Sequence, residues 1–176
     1  MIDLTGNEWQ QQWLDDGVMV HRTATVDAGA KIGLGSVVWH YSHIRSTATI
    51  GSDCVISQGC YVDAGVSIGH QCKIANGVQI YQGVKIGDRV FVGPNTTFTN
   101  DLHPRATTFD GKLVAFSNPE KTVVENGASI GAGCVILPVT IGEGAMIGAG
   151  AVVVHNVPPH MRLICRLSET MDPIAR

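Results

Sequence analysis

The sequence predicts an all-β fold in which the chain winds into a stack of three-sided coils. Val and Ile together number 36 against 8 Leu, and 21 of the 176 residues are Gly, a balance typical of strands joined by tight turns. A large apolar residue recurs every six positions, without a miss, from Val20 to Phe98. A second period of eighteen lies over the first, since Ile-Gly pairs begin at Ile32, Ile50, Ile68 and Ile86. Three six-residue units therefore close one coil, and neighbouring coils stack to bury a continuous core.

Each unit supplies one short strand and one turn. A smaller side chain lies two residues before the large one, as Cys54 lies before Ile56. Side chains two apart on a strand point to the same face, so we expect these pairs to fill the core. Gly, Asp, Asn and Ser crowd the positions between strands, where the chain must turn. Backbone hydrogen bonds should join neighbouring coils at the strand spacing of ~4.8 Å.

Residues 1–17 precede the repeat. The spacing of Trp9, Trp13 and Leu14 predicts a short amphipathic helix that covers the end of the core. This start has no basic segment followed by an apolar one, and no apolar run reaches the roughly 18 residues of a membrane span. We therefore expect a cytoplasmic protein. With 12 Lys and Arg against 15 Asp and Glu, no basic surface favours nucleic acid.

The repeat itself predicts a coil domain at residues 18–157, with about seven coils, and a tail at 158–176. A polar loop at 99–121 interrupts it. The step from Ile136 to Ile141 is five residues rather than six, so one turn should be tighter there.

The loop is the first candidate site, because long insertions in repeat proteins tend to build the binding face. It opens with Asn100, Asp101, His103 and Arg105, which place an amide, a carboxylate, an imidazole and a guanidinium close together. Arginine suits two-pronged contact with phosphate or carboxylate. The alternative interpretation is a solvated loop tip with an Asp–Arg pair.

A second candidate comes from the period of eighteen. His40, Gln58 and Asn76 each lie two residues after an inward residue and are eighteen apart. They should form a vertical column on one edge of the coil, ~4.8 Å between neighbours. Three hydrogen-bonding side chains that point one way can cradle a polar ligand. An exposed polar ladder or a subunit contact is the alternative.

These features, with IGAGAVV at 147–153, resemble the hexapeptide-repeat acyltransferases. The resemblance implies a left-handed parallel β-helix, a homotrimer and acetyl-CoA as acyl donor. FTNDLHPRA, FVGPNTTFTND and VVWHYSHI resemble one branch, the nucleotide-sugar N-acetyltransferases that act on 3-amino sugars linked to UDP or dTDP. That branch serves the synthesis of cell-surface polysaccharides, and in it the residues matching His40 and Asn76 line the sugar site. The resemblance therefore implies N-acetylation, with Asn76 holding the amine and His40 assisting.

The donor is expected to lie against the small-residue turns of the two IGAG runs, at Gly131, Ala132, Gly148 and Ala149. Small side chains there would let a pantetheine arm approach the backbone. The family usually continues after the repeat with a Gly-x-Pro-Ala turn near the adenine end of the coenzyme. Residues 165–168 read Cys-Arg-Leu-Ser instead, so we expect altered coenzyme contacts from the tail.

No metal is expected. The repeat's cysteines occupy the small inward slot and are interpreted as buried hydrophobes: Cys54, Cys60, Cys72 and Cys134. The γ-class carbonic anhydrases share this type of coil and hold zinc through a Gly-His pair followed five residues later by a second His. Here His70 is followed at that spacing by Ala75, which leaves too few ligands for catalytic zinc.

Two other functions stay open at this stage. One is an O-acetyltransferase for another small acceptor, with His103 or His70 as base. The other is a catalytically silent trimeric scaffold. The remaining histidines are interpreted as surface or interface residues: His21, His43, His155 and His160.

Overall fold

The computed structural model describes residues 17–114 and 119–164, and in these the chain forms 21 short parallel strands. The strands are β1 Met19–Val20, β2 Thr25–Val26, β3 Lys31–Ile32, β4 Val37–Val38, β5 His43–Ile44, β6 Thr49–Ile50, β7 Val55–Ile56, β8 Tyr61–Val62, β9 Ser67–Ile68, β10 Lys73–Ile74, β11 Gln79–Ile80, β12 Val84–Ile86, β13 Phe91–Val92, β14 Thr97–Phe98, β15 Thr122–Val124, β16 Ser129–Ile130, β17 Val135–Ile136, β18 Thr140–Ile141, β19 Met146–Ile147, β20 Val152–Val153 and β21 Arg162–Leu163. No helix of the described residues is long and apolar enough to cross a membrane.

From β1 to β20 every third strand joins the same sheet, which is the pattern of a three-sided parallel β-helix. The first sheet has the order β1-β4-β7-β10-β13-β16-β19-β21, the second β2-β5-β8-β11-β14-β17-β20, and the third β18-β15-β12-β9-β6-β3. The register follows the eighteen-residue period, since Val38 pairs with Ile56 and Ile56 with Ile74. The predicted fold class is confirmed, and the eight strands of the first sheet show seven coils and the start of an eighth.

Large and small inward residues form one continuous core. The central aliphatic residues, such as Ile56 and Ile74, are fully buried. Cys54, Cys60 and Cys134 are buried free thiols, as predicted, and so is Cys72. Their S–H groups donate to backbone carbonyls of the next coil, as Cys54 Sγ does to Gly69 O at 3.1 Å. The small slot thus satisfies turn carbonyls as well as filling space.

The turns between sheets stack into three edges. The first edge joins the first sheet to the second, the second edge joins the second sheet to the third, and the third edge returns to the first sheet. The polar loop lies on the second edge, because β14 ends at Phe98 and β15 begins at Thr122. The interruption of the repeat therefore falls between the second and third sheets, and the five-residue step from Ile136 to Ile141 joins β17 to β18.

The coil continues beyond residue 157, where the sequence analysis ended it. β21 pairs with β19. The N–H of Met146 donates to Met161 O, and that of Gly148 to Leu163 O, both at 2.8 Å. The two prolines at 158–159 form the third-edge turn of the last coil rather than an exit from it. The predicted helix at Trp9, Trp13 and Leu14 lies outside the described residues.

Candidate active site

One edge of the β-helix carries both the predicted column and the predicted donor residues. Each turn of the first edge has a residue in the same position: Arg22, His40, Gln58, Asn76, Pro94, Ala132 and Ala149. A ladder of backbone hydrogen bonds fixes this register. The N–H groups of residues 59, 77, 95, 133 and 150 donate to the carbonyls of His40, Gln58, Asn76, Pro94 and Ala132 at 2.8–2.9 Å. The coil spacing then places Ala132 roughly 10 Å and Ala149 roughly 14 Å above Asn76.

The lower half of this edge is a polar groove of about 290 Å³. It is lined by Trp39, His40, Ser57, Gln58 and Asn76. The structure brings the three residues of the column together in this groove. Trp39 and Ser57 were missed by the sequence analysis, although Trp39 stands beside His40 in the WH pair that was singled out. Amide, hydroxyl and imidazole groups facing one open groove can orient a hydroxylated or amino ligand by hydrogen bonds.

Three aromatic rings surround the half-buried His40. The ring centroid of His21 lies 3.6 Å from that of His40, and those of Trp39 and Tyr41 lie 5.9 and 6.2 Å away. His21 was interpreted as a surface or interface residue, and that interpretation is wrong because its side chain is buried within the chain, against the His40 ring. The repeat gives a residue's height on the coil, but it does not show how a ring on one turn covers a ring on the next.

The upper half of the edge is built from the small residues of the two IGAG runs. Ala132 and Ala149 are exposed. Among the described residues, their backbone N–H groups donate no hydrogen bond. Several equivalent N–H groups on the third edge are capped by side chains, as Asp88 N–H is by Asn126 Oδ1 at 2.8 Å. The first edge therefore offers two backbone donors to a ligand.

Gly131 is small for a different reason from the one the sequence suggested. A Cβ on this residue would lie 2.5 Å from the backbone nitrogen of Ala149, so coil stacking itself excludes a side chain. At Gly148 a Cβ would lie 3.2 Å from Leu163 O, which is tight rather than prohibitive. Ala132 and Ala149 are the residues whose small side chains leave the outer surface open.

The loop residues do not reach this groove within one chain. Asn100 holds the base of the loop in place. Its side-chain Nδ2 donates to the backbone carbonyl of Gln82 at 3.0 Å, and its backbone carbonyl accepts from Glu120 N–H at 2.9 Å. Asp101 Oδ1 accepts from the N–H of His103 at 2.8 Å, so both are exposed parts of one turn.

Arg105 lies farther along the exposed loop. Its guanidinium carbon lies 5.7 Å from the ring centre of Phe109. None of the four predicted loop residues lines the groove of the first edge. The structure thus separates the loop set from the column set.

The other histidines have structural partners or lie at the surface. His70 is on the third edge, where its Nδ1 accepts from Ser52 N–H at 3.0 Å. His43 is half-buried, with Nε2 2.8 Å from Asp27 Oδ1. This contact, with that of Arg45, holds the pKa of the Asp27 carboxyl below its usual value. His155 and His160 are exposed, as expected.

Metal ligands do not converge in the part of the chain that the structure describes. No group of three or more His, Cys, Asp or Glu side chains lies together in residues 17–114 and 119–164.

Comparison with known sequences identifies the repeat. The bacterial transferase hexapeptide (six repeats) matches residues 65–100, and the hexapeptide repeat of succinyl-transferase matches residues 47–82 and 121–154. Together these matches span half of the chain. The chain belongs to the hexapeptide-repeat family. A comparison with curated proteins found no match.

Solved structures share the fold of this hexapeptide-repeat protein. PerB from Caulobacter crescentus, in complex with CoA and GDP-perosamine, is 23% identical with a TM-score of 0.50, over 82% of this chain and 52% of that one. AntD, an N-acyltransferase from Bacillus cereus in complex with dTDP and 3-hydroxybutyryl-CoA, is 18% identical with a TM-score of 0.54, over 89% and 85%. The acetyltransferase domain of PglB from Neisseria gonorrhoeae, in complex with acetyl coenzyme A, is 22% identical with a TM-score of 0.48, over 84% and 54%. The chain thus spans about half the length of PerB and of the PglB chain.

Proposed function

We propose that this protein is an N-acetyltransferase that moves the acetyl group of acetyl-CoA to the amino group of a nucleotide-linked amino sugar. One observation carries the proposal. A single edge of the β-helix holds a polar groove at His40, Gln58 and Asn76, and free backbone donors at Ala132 and Ala149 directly above it. Acetyl transfer needs an acceptor site beside a donor site, with hydrogen-bond donors for the oxygen that becomes negative in the transition state.

The donor lies along the upper half of the first edge in this proposal. The N–H groups of Ala132 and Ala149, which donate no hydrogen bond among the described residues, can bind the amide oxygens of the pantetheine arm or the thioester oxygen. Gly131 and Gly148 complete the strip. The thioester end points down the edge toward Asn76, over a distance of roughly 10–14 Å that an extended pantetheine arm can span.

The acceptor lies in the polar groove. The Asn76 side-chain oxygen accepts a hydrogen bond from the sugar amine and aims its lone pair at the thioester carbonyl. The nitrogen forms a bond to the carbonyl carbon and the carbon–sulfur bond breaks. The nitrogen gives up one proton to solvent and the departing sulfur takes one up, so coenzyme A leaves as the thiol. His40 and Gln58 bind the sugar in that orientation.

The nucleotide half of the acceptor needs cationic and polar partners, and Arg105 with Asn100, Asp101 and His103 supplies them. Since these residues lie on the second edge of their own chain, we propose that a neighbouring copy brings its loop to the groove, in a homotrimer. Such an assembly also gives the two substrates a cleft, which a flat-sided coil lacks.

The oligomeric state is the first prediction. Light scattering at micromolar concentration should give three times the chain mass of 18.7 kDa. The loop residues Phe109 and Leu113 are almost fully exposed within one chain. Replacing both with Ser tests whether the loop contributes to assembly. A monomeric mass for the unaltered protein would contradict the homotrimer.

Ala149→Phe tests the donor strip. A large ring on this exposed turn should block the pantetheine arm and reduce acetyl-CoA binding at least tenfold, with the fold unchanged because the side chain points to solvent. Isothermal calorimetry measures the binding and circular dichroism the fold. Ala28→Phe, on an exposed turn of the second edge, is the matched control and should bind acetyl-CoA like the parent. Equal binding of acetyl-CoA by both variants would show that the donor does not bind along the first edge.

No single side chain is expected to act as an essential base. Asn76 has no basic group, and the Nδ1 of His70 is already an acceptor on a different edge. We expect the amine to arrive neutral or to lose its proton to solvent. His40→Ala and His103→Ala should therefore each reduce turnover by less than the 10²–10⁴-fold typical of a lost general base. A pH–rate profile that loses its acidic limb, together with ~10³-fold of rate, in either variant would identify that histidine as the base.

The function itself is tested by release of free thiol from acetyl-CoA. The purified protein is mixed with nucleotide-linked amino sugars, the matching sugars with a hydroxyl in place of the amine, and unlinked amino sugars. Thiol release with the first group alone supports the proposal, and transfer to hydroxyl acceptors would make the protein an O-acetyltransferase. If calorimetry detects no heat when acetyl-CoA is added, the protein is a scaffold and not a transferase.

We place the reaction in the cytoplasm, since four buried free thiols suit a reducing compartment.

A further inference from the structure

His21 has the surroundings of a residue that holds another in place. It lies one coil below His40, and the centroids of the two rings are 3.6 Å apart with 39° between their planes. Of the three rings around His40, His21 is only 3% exposed, whereas Trp39 is 38% and Tyr41 70% exposed. A buried ring cannot move aside as an exposed one can. His21 is therefore the fixed wall against which the His40 ring lies.

Thr23 fixes the orientation of the His21 ring. The backbone N–H of Thr23 donates to His21 Nδ1 at 3.2 Å, so Nδ1 is an acceptor and the ring proton lies on Nε2. The hydroxyl of Thr23 lies 2.9 Å from the same nitrogen and donates to it. That hydroxyl oxygen accepts in turn from Tyr41 N–H at 3.2 Å. The hydrogen bonds thus tie His21 to the backbone of the turn that carries His40.

We propose that His21 is a positioning residue for acetyl transfer: its buried ring holds the His40 imidazole in the orientation that binds the sugar in the groove. The inference rests on the proposed function, because it gives His40 its acceptor-binding role. His21 touches no substrate and acts only through His40. Its effect belongs to the acceptor half of the reaction and leaves the donor strip, two and more coils above Asn76, unchanged.

Three substitutions separate the ring contact from a general effect on folding. His21→Asn removes the ring and keeps an acceptor near Thr23 N–H, His21→Phe keeps a flat ring in the same place, and His155→Asn is an exposed control. Circular dichroism shows whether each remains a β-helix. Proton–nitrogen correlation spectra of the imidazoles, with His40 assigned from a His40→Gln variant, measure the environment of the His40 ring directly.

In His21→Asn, the His40 ring resonances should shift and kcat for acetyl transfer should fall by about tenfold, short of the roughly 100-fold that larger misplacement can cause. KM for acetyl-CoA should not change. His21→Phe should recover most of the rate, and His155→Asn should match the parent in every measurement. Unchanged His40 resonances in His21→Asn, or a KM for acetyl-CoA that rises with the fall in kcat, would overturn the inference. If the unaltered protein transfers no acetyl group, the proposed function fails, and the positioning role in transfer fails with it; the spectra still decide whether His21 holds the His40 ring.

Discussion

Replacing residues 101–119 with two glycines should leave a folded protein that binds acetyl-CoA and binds the nucleotide sugar far more weakly. The fold should survive because Asn100 O and Glu120 N are already 2.9 Å apart, so a short linker can join the ends. Every described residue from 101 to 114 is exposed, so removal of this part of the loop uncovers no core. Hydrogen bonds to charged groups each contribute about 1.5–3 kcal/mol, so losing Arg105 and its neighbours should weaken binding by at least tenfold to a hundredfold.

Calorimetry with acetyl-CoA and with the nucleotide sugar, titrated separately, measures both effects. Arg105→Ala should reproduce much of the loss in acceptor binding. Lys112→Ala is the matched control, because this lysine lies on the same loop and its Nζ is paired with Asp110 at 2.8 Å. A deletion variant that unfolds, or that loses acetyl-CoA, would show that the loop is structural and that the acceptor binds elsewhere.

Asn76→Ala should give the largest loss of turnover of any single substitution in the groove. Without the side-chain oxygen the amine is no longer aimed at the thioester, and misplacement of a reacting atom by about 1 Å can reduce the rate ~10²-fold. The effect should appear mainly in kcat, with acetyl-CoA binding unchanged, because the proposed function assigns the donor to Ala132 and Ala149. Single-turnover kinetics with the nucleotide amino sugar measure it.

Two further variants sharpen this test. Asn76→Asp keeps an oxygen in the same place and should retain more activity than Asn76→Ala. Gln82→Ala removes an exposed amide side chain at the corresponding position of the second edge and should turn over like the parent. Full activity in Asn76→Ala would show that the reacting amine does not bind at this column, whatever the substrate is.

The sequence alone determined the coil and the column. Within the unbroken repeat an eighteen-residue period fixes the register of the coils, because backbone hydrogen bonds join residues one coil apart and leave no freedom to slip. Residues a multiple of eighteen apart in that stretch therefore share an edge, which is why His40, Gln58 and Asn76 could be placed together from their numbers. The buried state of Cys54 followed from the same alternation of inward and outward side chains.

Residue numbers no longer show which edge a residue lies on once the repeat is interrupted. The loop makes Pro94 and Ala132 thirty-eight residues apart, and the five-residue step makes Ala132 and Ala149 seventeen apart. No period in the sequence connects these residues to Asn76. Only the sheet pairings show that the small-residue turns lie on the same edge as the polar groove, and this is the fact on which the proposed function depends.

Side-chain contacts between coils also had to come from the tertiary structure. Whether the ring of His21 points out or turns inward under His40 depends on the hydrogen bonds that Thr23 gives it, and a repeat pattern specifies backbone position only. The same limit applies to Gly131, which is small because the next coil lies against it. The sequence by itself thus determined which residues share a height and an edge within an unbroken repeat. The tertiary structure decided which edges meet across the interruptions and which side chains touch, because those depend on the path of the loop and on packing between turns.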